Sequence, residues 1–355
     1  MSLRAAPPET DLHIPLPPEG ANWDPHTIHT HYFGFSIAEH AIGCFIYIRY
    51  QPAFNLCGAG VSIFQGTDNH ALLDAAHLDY VNTSPWPTVV GNTITTVNGL
   101  AIDFAVPGRD INISYESRDG TARFELRQTA ITALVARGHV MPGEEAHHEA
   151  AAGASGGTEQ FMHCTGTLTL HGQDYAIDCN PVRDRSWSQV RTEHRAVVNV
   201  PPIGWSPMYF GPDLAVNQIG YEHPDTDPAW TGLYDVPADK PTHHFGYVLS
   251  GDEMRSITDV RRNVLTYDPV EFLPLKQELD IRDEAGNEYH FVGEAIALCP
   301  VPAWPNIMAH DSVYRWTDEQ GRVSYGPYQE VWSDIYQQAM KRRFSTVAAL
   351  QRQTT

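Results

Sequence analysis

Apolar and polar residues alternate along most of the chain, in short runs that end at glycine, asparagine or aspartate. These runs are rich in β-branched and aromatic residues, which is typical of strands with one buried face. The clearest runs are Ala41–Tyr50, Asn92–Val97, Ile111–Tyr115 and Thr165–Leu170. Sequences suited to hairpin turns stand at Arg118–Gly120, Asp283–Gly286 and Glu319–Gly321. The alternation therefore predicts an all-β protein built from antiparallel strands.

Helical periodicity is confined to two segments. The first is Asn69–Asp79, a short stretch rich in alanine, leucine and aspartate. The second is Ser333–Leu350 near the C-terminus, where Lys341, Arg342 and Arg343 are typical of a solvated helix face. We therefore expect few, short helices.

An internal similarity relates the two halves of the chain. Tyr32–Gly34 recurs as Tyr209–Gly211, and Ile42–Gly43 recurs as Ile219–Gly220, both at an offset of 177 residues. Similarity at a constant offset indicates a duplicated structural unit. The repeat therefore favours two related β domains over one large domain.

The predicted boundary falls where two consecutive prolines, Pro201 and Pro202, interrupt the strand pattern. We predict an N-terminal β domain at residues 1–200 and a C-terminal β domain at residues 201–355 that ends in the C-terminal helix. Residues 142–158 are rich in glycine, alanine, glutamate and histidine. This composition contributes little to a β core, so we predict a flexible loop there.

Composition excludes several classes of partner. The chain of 355 residues is 42% hydrophobic, and its 23 Lys and Arg against 43 Asp and Glu give a net charge of −20. Because a surface with this much negative charge repels phosphate backbones, we predict no nucleic-acid binding. The N-terminal 20 residues are proline-rich without an apolar signal core, and no later stretch resembles a membrane span. We predict a cytoplasmic protein without a membrane span.

Metal chemistry has weak support in the sequence. The five cysteines include no C-x-x-C pair, which favours free buried thiols. His29 and His31 would project from one face of a strand, as metal ligands can. Glu39, however, lies too far along the chain for the H-x-H-x₃₋₄-E spacing of a cupin metal site. We therefore predict no metal ligands and no cofactor, and a His-ligated mononuclear metal enzyme is the third functional alternative.

The densest group of polar side chains falls within residues 178–191. In a strand, Asp184 and Ser186 would point to one face, and Arg183, Arg185 and Trp187 to the other. The group therefore cannot converge on one ligand as a whole. Two interpretations stay open: a ligand site, or a buried network of arginine and aspartate that closes the first domain onto the second.

The same residues carry a resemblance to a known family. Arg183–Trp187 together with Arg191 resembles the D-[HR]-S-W-G-x-R signature of two-domain lipocalin-like proteins related to carotenoid 1,2-hydratase (hydroxyneurosporene synthase) and the AttH-like proteins. His31–Gly43 and Tyr325–Trp332 are similar to the first strand pair and the closing strand of that family. One departure is Ser188, where the family pattern has glycine.

The resemblance implies tandem lipocalin-like antiparallel β-barrels or sandwiches. Such a barrel encloses an apolar cavity, and a tandem pair adds a groove between its domains. The family includes isoprenoid hydratases, cyclases and enzymes that assist Diels–Alder reactions, so it implies the fold more firmly than the reaction.

The leading hypothesis is a cofactor-independent hydratase or hydro-lyase, or a related isomerase or cyclase. Its substrate would be a hydrophobic terpenoid, steroid-like or aromatic molecule, whose cation the aromatic side chains could stabilise. Asp184 is the candidate acid–base group, with His163, His243 and His244 as alternative proton carriers. The candidate substrate-binding residues are Trp187, Arg185, Arg191, Trp205 and Tyr209.

The alternative hypothesis is a carrier that binds a hydrophobic small molecule without changing it. A carrier needs hydrogen bonds that hold its ligand, whereas a catalyst needs a titrating group aimed at a reacting carbon. The sequence leaves open whether the chain forms a homodimer.

Overall fold

The computed structural model describes residues 4–12, 23–137, 156–190, 201–236, 241–251, 253–304 and 307–353. Most of these residues lie in antiparallel strands, and one α-helix is found among them, so the predicted all-β class is confirmed. The chain divides into two compact units. The N-terminal unit comprises residues 1–66, 73–192 and 325–327, and the C-terminal unit comprises residues 67–72, 193–324 and 328–355. The predicted division after residue 200 stays a prediction.

The N-terminal unit contains one sheet with fourteen strands among the described residues. These strands are β1 (Arg4–Ala5), β2 (Thr27–Ile37), β3 (Ile42–Gln51), β4 (Leu56–Gln65), β5 (His77–Pro85), β6 (Thr88–Val90), β7 (Thr93–Thr95), β8 (Ala101–Val106), β9 (Asp110–Glu116), β10 (Ala122–Ala130), β11 (Val135–Arg137), β12 (Gly156–Leu170), β13 (Gln173–Cys179) and β14 (Val182–Val190). Residues 156–158 of the predicted flexible loop thus begin β12, and the rest of that loop lies outside the described residues.

This sheet is an open half-barrel with the strand order β5-β4-β3-β2-β14-β12-β10-β9-β8-β7-β6. It curls so that one face of β2 meets strands from the other half of the sheet. The rings of His31 and Phe104 are 5.7 Å apart, and those of Phe35 and Phe124 are 5.5 Å apart. The enclosed core is otherwise aliphatic and aromatic, because alternate residues of each strand point inward.

The C-terminal unit contains nine strands among the described residues. They are β15 (Ile203–Trp205), β16 (Met208–Gly211), β17 (Leu214–Tyr221), β18 (His243–Ser250), β19 (Glu253–Tyr267), β20 (Pro274–Asp283), β21 (Glu288–Trp304), β22 (Ile307–Asp318) and β23 (Val323–Ser333). Because β15 pairs with both β17 and β23, eight of these strands close into a barrel, and β16 adds to β17.

The C-terminal helix was correctly predicted and follows β23 directly as α1 (Asp334–Gln353). Asp334 stands in its first turn, where a negative charge interacts favourably with the helix dipole. Tyr336 and Met340, one turn apart, pack against Trp230 and Trp332. No helix within the described residues is long and apolar enough to cross a membrane. The 3₁₀ turns are Pro8–Thr10, Ala38–His40, Pro52–Phe54, Leu72–Asp74 and Pro228–Trp230.

The predicted helix at Asn69–Asp79 is wrong. The segment forms only the 3₁₀ turn Leu72–Asp74 before β5 begins. The Asn69 amide donates to the carbonyl oxygen of Leu298 at 2.9 Å, and Leu73 is 84% exposed. The apolar residues of this segment therefore do not pack together against one surface, as those of an amphipathic helix would. From His77 onward, pairing with β4 stabilises the extended form.

The three predicted hairpin turns are confirmed. They connect β9 to β10, β20 to β21 and β22 to β23. Each turn has its glycine in the left-handed region, at φ +71° for Gly120, +84° for Gly286 and +77° for Gly321. Glycine adopts this conformation without a Cβ clash, which explains why the turn signal was readable in the sequence.

A fully buried ionic network crosses the core of the C-terminal barrel. Arg262 donates through Nη1 and Nη2 to the two oxygens of Glu330 at 2.9 and 3.0 Å, and through Nη2 to Glu222 at 3.2 Å. The Trp332 indole also donates to Glu330, and Trp230 donates to Glu222. Each carboxylate therefore accepts from several donors, which offsets much of the cost of burying it.

Gly204 on β15 is required by this network. A Cβ at that position would lie 1.8 Å from Nη1 of Arg262 and 2.5 Å from the Tyr328 hydroxyl. The guanidinium thus occupies the space that a side chain on β15 would need.

Replacement Arg262→Met should strongly destabilise the protein. It leaves Glu222 and Glu330 buried without their cation, a change that typically costs about 3–5 kcal/mol. The denaturant midpoint of unfolding measures the effect. The neighbouring Arg261 provides a matched control, because its side chain is 52% exposed and its pairing with Asp225 is a surface contact. Arg261→Met should cost under about 1 kcal/mol, and equal losses in the two variants would contradict the assignment.

Candidate functional site

Strand β14 separates the predicted site residues onto two faces, as the alternation predicted. Ser186 Oγ donates to Asp184 Oδ1 at 3.3 Å, so these two side chains share one face. Arg185 lies directly opposite His31 of β2, whose ring points into the half-barrel core. Arg185 and Trp187 therefore face the core, and Asp184 faces away from it.

On the face turned away from the core, two carboxylates are neighbours. Asp184 is directly opposite Glu159 on β12 and directly opposite Tyr32 on β2. Glu159 is fully buried and Asp184 is half-buried. Side chains directly opposite in antiparallel strands have their Cβ atoms about 5 Å apart. The two acidic side chains are therefore neighbours on this face of the sheet.

The core-facing side of β14 belongs to a polar group that we call the inner cluster: Asp11, His29, His31, Tyr50, Arg183 and Arg185. Within it, Arg183 is compensated. Asp11 accepts from both terminal nitrogens of Arg183 and also from the backbone N–H of Gly108, and the Gln160 amide oxygen accepts from Arg183 Nε at 3.1 Å. The Asp11 carboxylate therefore accepts three hydrogen bonds, two of them from Arg183.

Arg185 has no such compensation. Among the described residues no carboxylate lies within ion-pair distance of it, and its Nε is buried without a hydrogen-bond partner. Its guanidinium stacks over the Trp187 ring, 5.3 Å from the ring centre. Burial lowers the pKa of Arg185, and the charge of Asp11, which lies beyond ion-pair distance, offsets this effect only in part.

The two histidines beside Arg185 are held neutral. Burial, reinforced by the charge of Arg185, lowers the pKa of His29 to about 4 and that of His31 well below its usual range. His29 Nδ1 accepts from the backbone N–H of Ser188 at 3.0 Å. His31 Nδ1 lies 3.1 Å from the Tyr50 hydroxyl. Burial also raises the pKa of Tyr50, so its hydroxyl stays protonated.

Ser188 stands at a bend in β14. It has φ +53°, and the register of β14 against β2 shifts between Ser186 and Gln189. Glycine, present here in the family signature, would adopt this φ without strain, so serine preserves the bend at a conformational cost. The bend lets the Ser188 amide reach His29.

The other predicted proton carriers lie elsewhere. His163 pairs with Asp178 at 2.8 Å on the β12–β13 hairpin, where the two side chains are 47% and 80% exposed. His243 and His244 begin β18 in the C-terminal unit and are half-buried. Burial lowers the pKa of His243. None of the three belongs to the inner cluster, and Arg191 lies outside the described residues.

Trp205 and Tyr209, also predicted to bind substrate, lie in the C-terminal unit. Tyr209 is a half-buried residue of β16 whose backbone N–H donates to Ser324 Oγ at 2.9 Å. Trp205 is buried, and its indole donates to the Asn217 side chain at 2.9 Å. Asn217 in turn donates to the Tyr247 hydroxyl at 3.4 Å.

Beside Trp205 lies a carboxyl group that the sequence did not single out. Asp311 on β22 is fully buried, and its Oδ1 accepts from the Gln329 amide at 2.9 Å. Gln329 is directly opposite Trp205. Because Tyr314 and Trp316 of β22 point into the barrel core, alternation places Asp311 on the other face of the wall. Burial raises the pKa of Asp311 to about 7.

These residues form a band across five strands, which we call the Asp311 band: Asp311, Gln329, Trp205, Asn217 and Tyr247. It combines an uncompensated carboxyl group with neutral amides and aromatic rings. Among the described residues no cation contacts Asp311, so its carboxyl is a proton donor near neutral pH. A sequence signal for it was hard to find, because its partners are 18 and about 100 residues distant.

The described residues hold no group of three histidine, cysteine, aspartate or glutamate side chains that could bind a metal ion. His29 and His31 point to the same face of β2, as the metal hypothesis required. Their nearby polar partners are Ser188 and Tyr50, and no third ligand converges on them among these residues.

Comparison with known proteins places the chain in a family. A family model described as a domain of unknown function, DUF7064, matches residues 12–332. The chain belongs to the DUF7064 family. No curated protein matches the DUF7064 chain. Its membership therefore brings no reaction or substrate with it.

Among solved structures, the DUF7064 chain is similar to kievitone hydratase from Nectria haematococca. The two are 13% identical over 88% of this chain and 90% of that chain, with a TM-score of 0.49. Similarity at this level carries no argument about function. The resemblance to carotenoid 1,2-hydratase and AttH-like proteins stays a prediction.

The raised pKa of Asp311 makes the stability of the DUF7064 chain depend on pH. In the unfolded chain this carboxyl ionises near pH 3.8, whereas the folded protein keeps it protonated up to about pH 7. Between these two pH values Asp311 ionises in the unfolded chain and not in the folded protein. Rising pH therefore favours the unfolded chain, and the free energy of unfolding falls. Asp311→Asn should remove this fall and stabilise the protein by up to about 4 kcal/mol above pH 7.

Denaturant unfolding of both proteins between about pH 4 and pH 8 measures the difference. The Asp311→Asn side chain still accepts from Gln329, so the hydrogen bond is retained. Asp235→Asn, at an exposed position of the same unit, is the control and should leave the pH profile unchanged. If the free energy of unfolding depended on pH in the same way in the wild type and in Asp311→Asn, the pKa of Asp311 would not be raised in the folded protein.

Proposed function

We propose that this protein is a cofactor-independent hydratase or hydro-lyase that acts on a hydrophobic small molecule, with Asp311 as its proton donor. The observation that carries the proposal is a fully buried carboxyl group that is hydrogen-bonded to a neutral amide and contacts no cation within the described part of the chain. Such a group can give a proton to carbon near neutral pH, which hydration of an alkene requires.

The proposed reaction is balanced without a cofactor. The Asp311 carboxyl protonates one alkene carbon, water attacks the other, and the oxygen loses its extra proton back to Asp311. The product therefore contains one added water, and the acid is regenerated. The Trp205 ring, directly opposite the Gln329 that binds Asp311, is suited to stabilise the positive charge that develops on carbon.

Terpenoid, steroid-like and aromatic alkenes are the proposed substrates, as the sequence resemblance implies. The supporting feature is the amide of Gln329 and the indole of Trp205 on the strands next to the acid, which suit an apolar body with few polar groups. Asp184, the acid–base group that the sequence analysis predicts, is the second proposed acid–base group, with Glu159 directly opposite it on β12.

The proposal can be tested with a panel of terpenoid, steroid-like and aromatic alkenes incubated in ¹⁸O-labelled water. Mass spectrometry should detect a product that has gained one labelled water. Asp311→Asn keeps the shape of the side chain but cannot supply the proton, so its rate should fall at least about 100-fold. The rate of the wild-type protein should fall above about pH 7, where Asp311 is ionised.

Asp235→Asn serves as the control and should retain the wild-type rate, while Asp184→Asn tests the second carboxyl group independently. An Asp311→Asn variant that is folded and fully active would remove Asp311 from the mechanism. Tight binding of an alkene that is recovered without label would instead support the carrier function.

A further inference from the structure

The inner cluster of the N-terminal unit carries an uncompensated positive charge. Arg183 and Arg185 contribute two cations, and Asp11 contributes one anion that is bonded to Arg183. His29 and His31 add no charge, since both are neutral at ordinary pH. The described members of the cluster therefore carry a net charge of +1 beside an apolar core, and Arg185 itself is half-buried there. An unpaired charge at such a position is costly unless an anion joins it.

Two hydrogen-bond donors in or next to the cluster have no partner among the described residues. Arg185 Nε is buried without a partner, and so is Oγ1 of Thr158, which is 2% exposed. Thr158 lies directly opposite Arg185 on β12, and His31 lies directly opposite it on β2. These three side chains therefore form one row on the core-facing side, with the guanidinium in the centre.

Three half-buried tryptophans contact residues of the inner cluster. Trp187 lies under the Arg185 guanidinium, and Gly156 makes room for it, because a Cβ there would be 2.5 Å from the indole. The Trp86 ring is 5.0 Å from that of Tyr50, and the Trp23 ring is 5.4 Å from that of His29. Partly exposed indoles beside buried polar groups are typical of sites for aromatic ligands.

We propose that the inner cluster is a binding site for an aromatic molecule that carries an anionic oxygen, with Arg185 as the residue that binds the oxygen. The planar guanidinium offers paired N–H donors to a carboxylate, and single donors to a phenolate. Thr158 supplies a further hydroxyl, and the indoles pack against the aromatic body. A bound anion would balance the charge of Arg185, as Asp11 balances the charge of Arg183.

This site is separate from the Asp311 band, which lies in the C-terminal unit. Its ligand is anionic, whereas the substrate proposed above is an apolar alkene. The two proposals can therefore fail independently.

Three nitrobenzene probes of similar size test the site: 4-nitrobenzoate, 4-nitrophenolate and the neutral 4-nitrobenzamide. Calorimetric titration at about pH 8, where both acids are ionised, measures their affinities. The wild-type protein should bind at least one acid more tightly than the amide. The more tightly bound acid identifies whether a carboxylate or a phenolate is preferred.

The variant Arg185→Gln removes the charge and keeps a side chain of similar polarity. It should bind the preferred acid about tenfold more weakly or worse, with little change in amide binding. Arg123→Gln, at an exposed position on β10, is the control and should bind all probes as the wild type does. Trp187→Phe keeps Arg185 and should weaken the acids and the amide alike, which tests the aromatic contact should Arg185→Gln fail to fold.

Two results would overturn the proposal. One is that neither acid binds the wild-type protein more tightly than about 1 mM. The other is that Arg185→Gln binds the acids as the wild type does, or loses acid and amide binding by the same factor.

Discussion

The C-terminal barrel depends on the buried contact between Arg262 and the carboxylates of Glu222 and Glu330. These residues come from parts of the chain that are 40 and 68 positions from the arginine. The contact therefore forms only when β19, β23 and the end of β17 are correctly placed. Since a buried cation without its anions is strongly unfavourable, arrangements that misplace any of these strands are excluded. The network thus selects one closed barrel from the many pairings open to similar strands.

The same network fixes the Asp311 band on the other side of the barrel wall. Gly204 makes room for Arg262, and the next residue, Trp205, belongs to the band. Glu330 binds Arg262, and the preceding residue, Gln329, binds Asp311. Neighbouring residues of a strand point to opposite faces. In each of these two pairs, one residue therefore belongs to the buried network and the other to the Asp311 band. The buried network is thereby joined through the backbone to a carboxyl group that contacts no cation among the described residues, which is the condition that the proposed acid catalysis needs.

The sequence predicted local features well and distant partnerships poorly. Strand alternation, the glycine turns and the terminal helix depend on neighbouring residues, and each was readable. Alternation alone also separated Asp184 from Arg185. The failure at Asn69–Asp79 came from a side-chain bond to Leu298, far along the chain. Likewise, the acidity of Asp311 comes from burial and from strands that the sequence pattern does not pair. The repeat at offset 177 places Tyr32 within a long strand and Tyr209 in short β16, so its two copies occupy unlike elements.

The arginines of the core differ in how many carboxylates balance their charge, and this difference distinguishes a structural role from the binding role that we propose. Arg262 contacts two carboxylates and a tyrosine hydroxyl, and every terminal nitrogen is used. Arg183 contacts one carboxylate and an amide. Arg185 contacts neither, although it shares a strand with Arg183. A chain with 43 acidic residues has ample carboxylates for pairing. Arg185, half-buried and stacked on Trp187, has no carboxylate partner among the described residues, and the anion proposed to bind there would supply one.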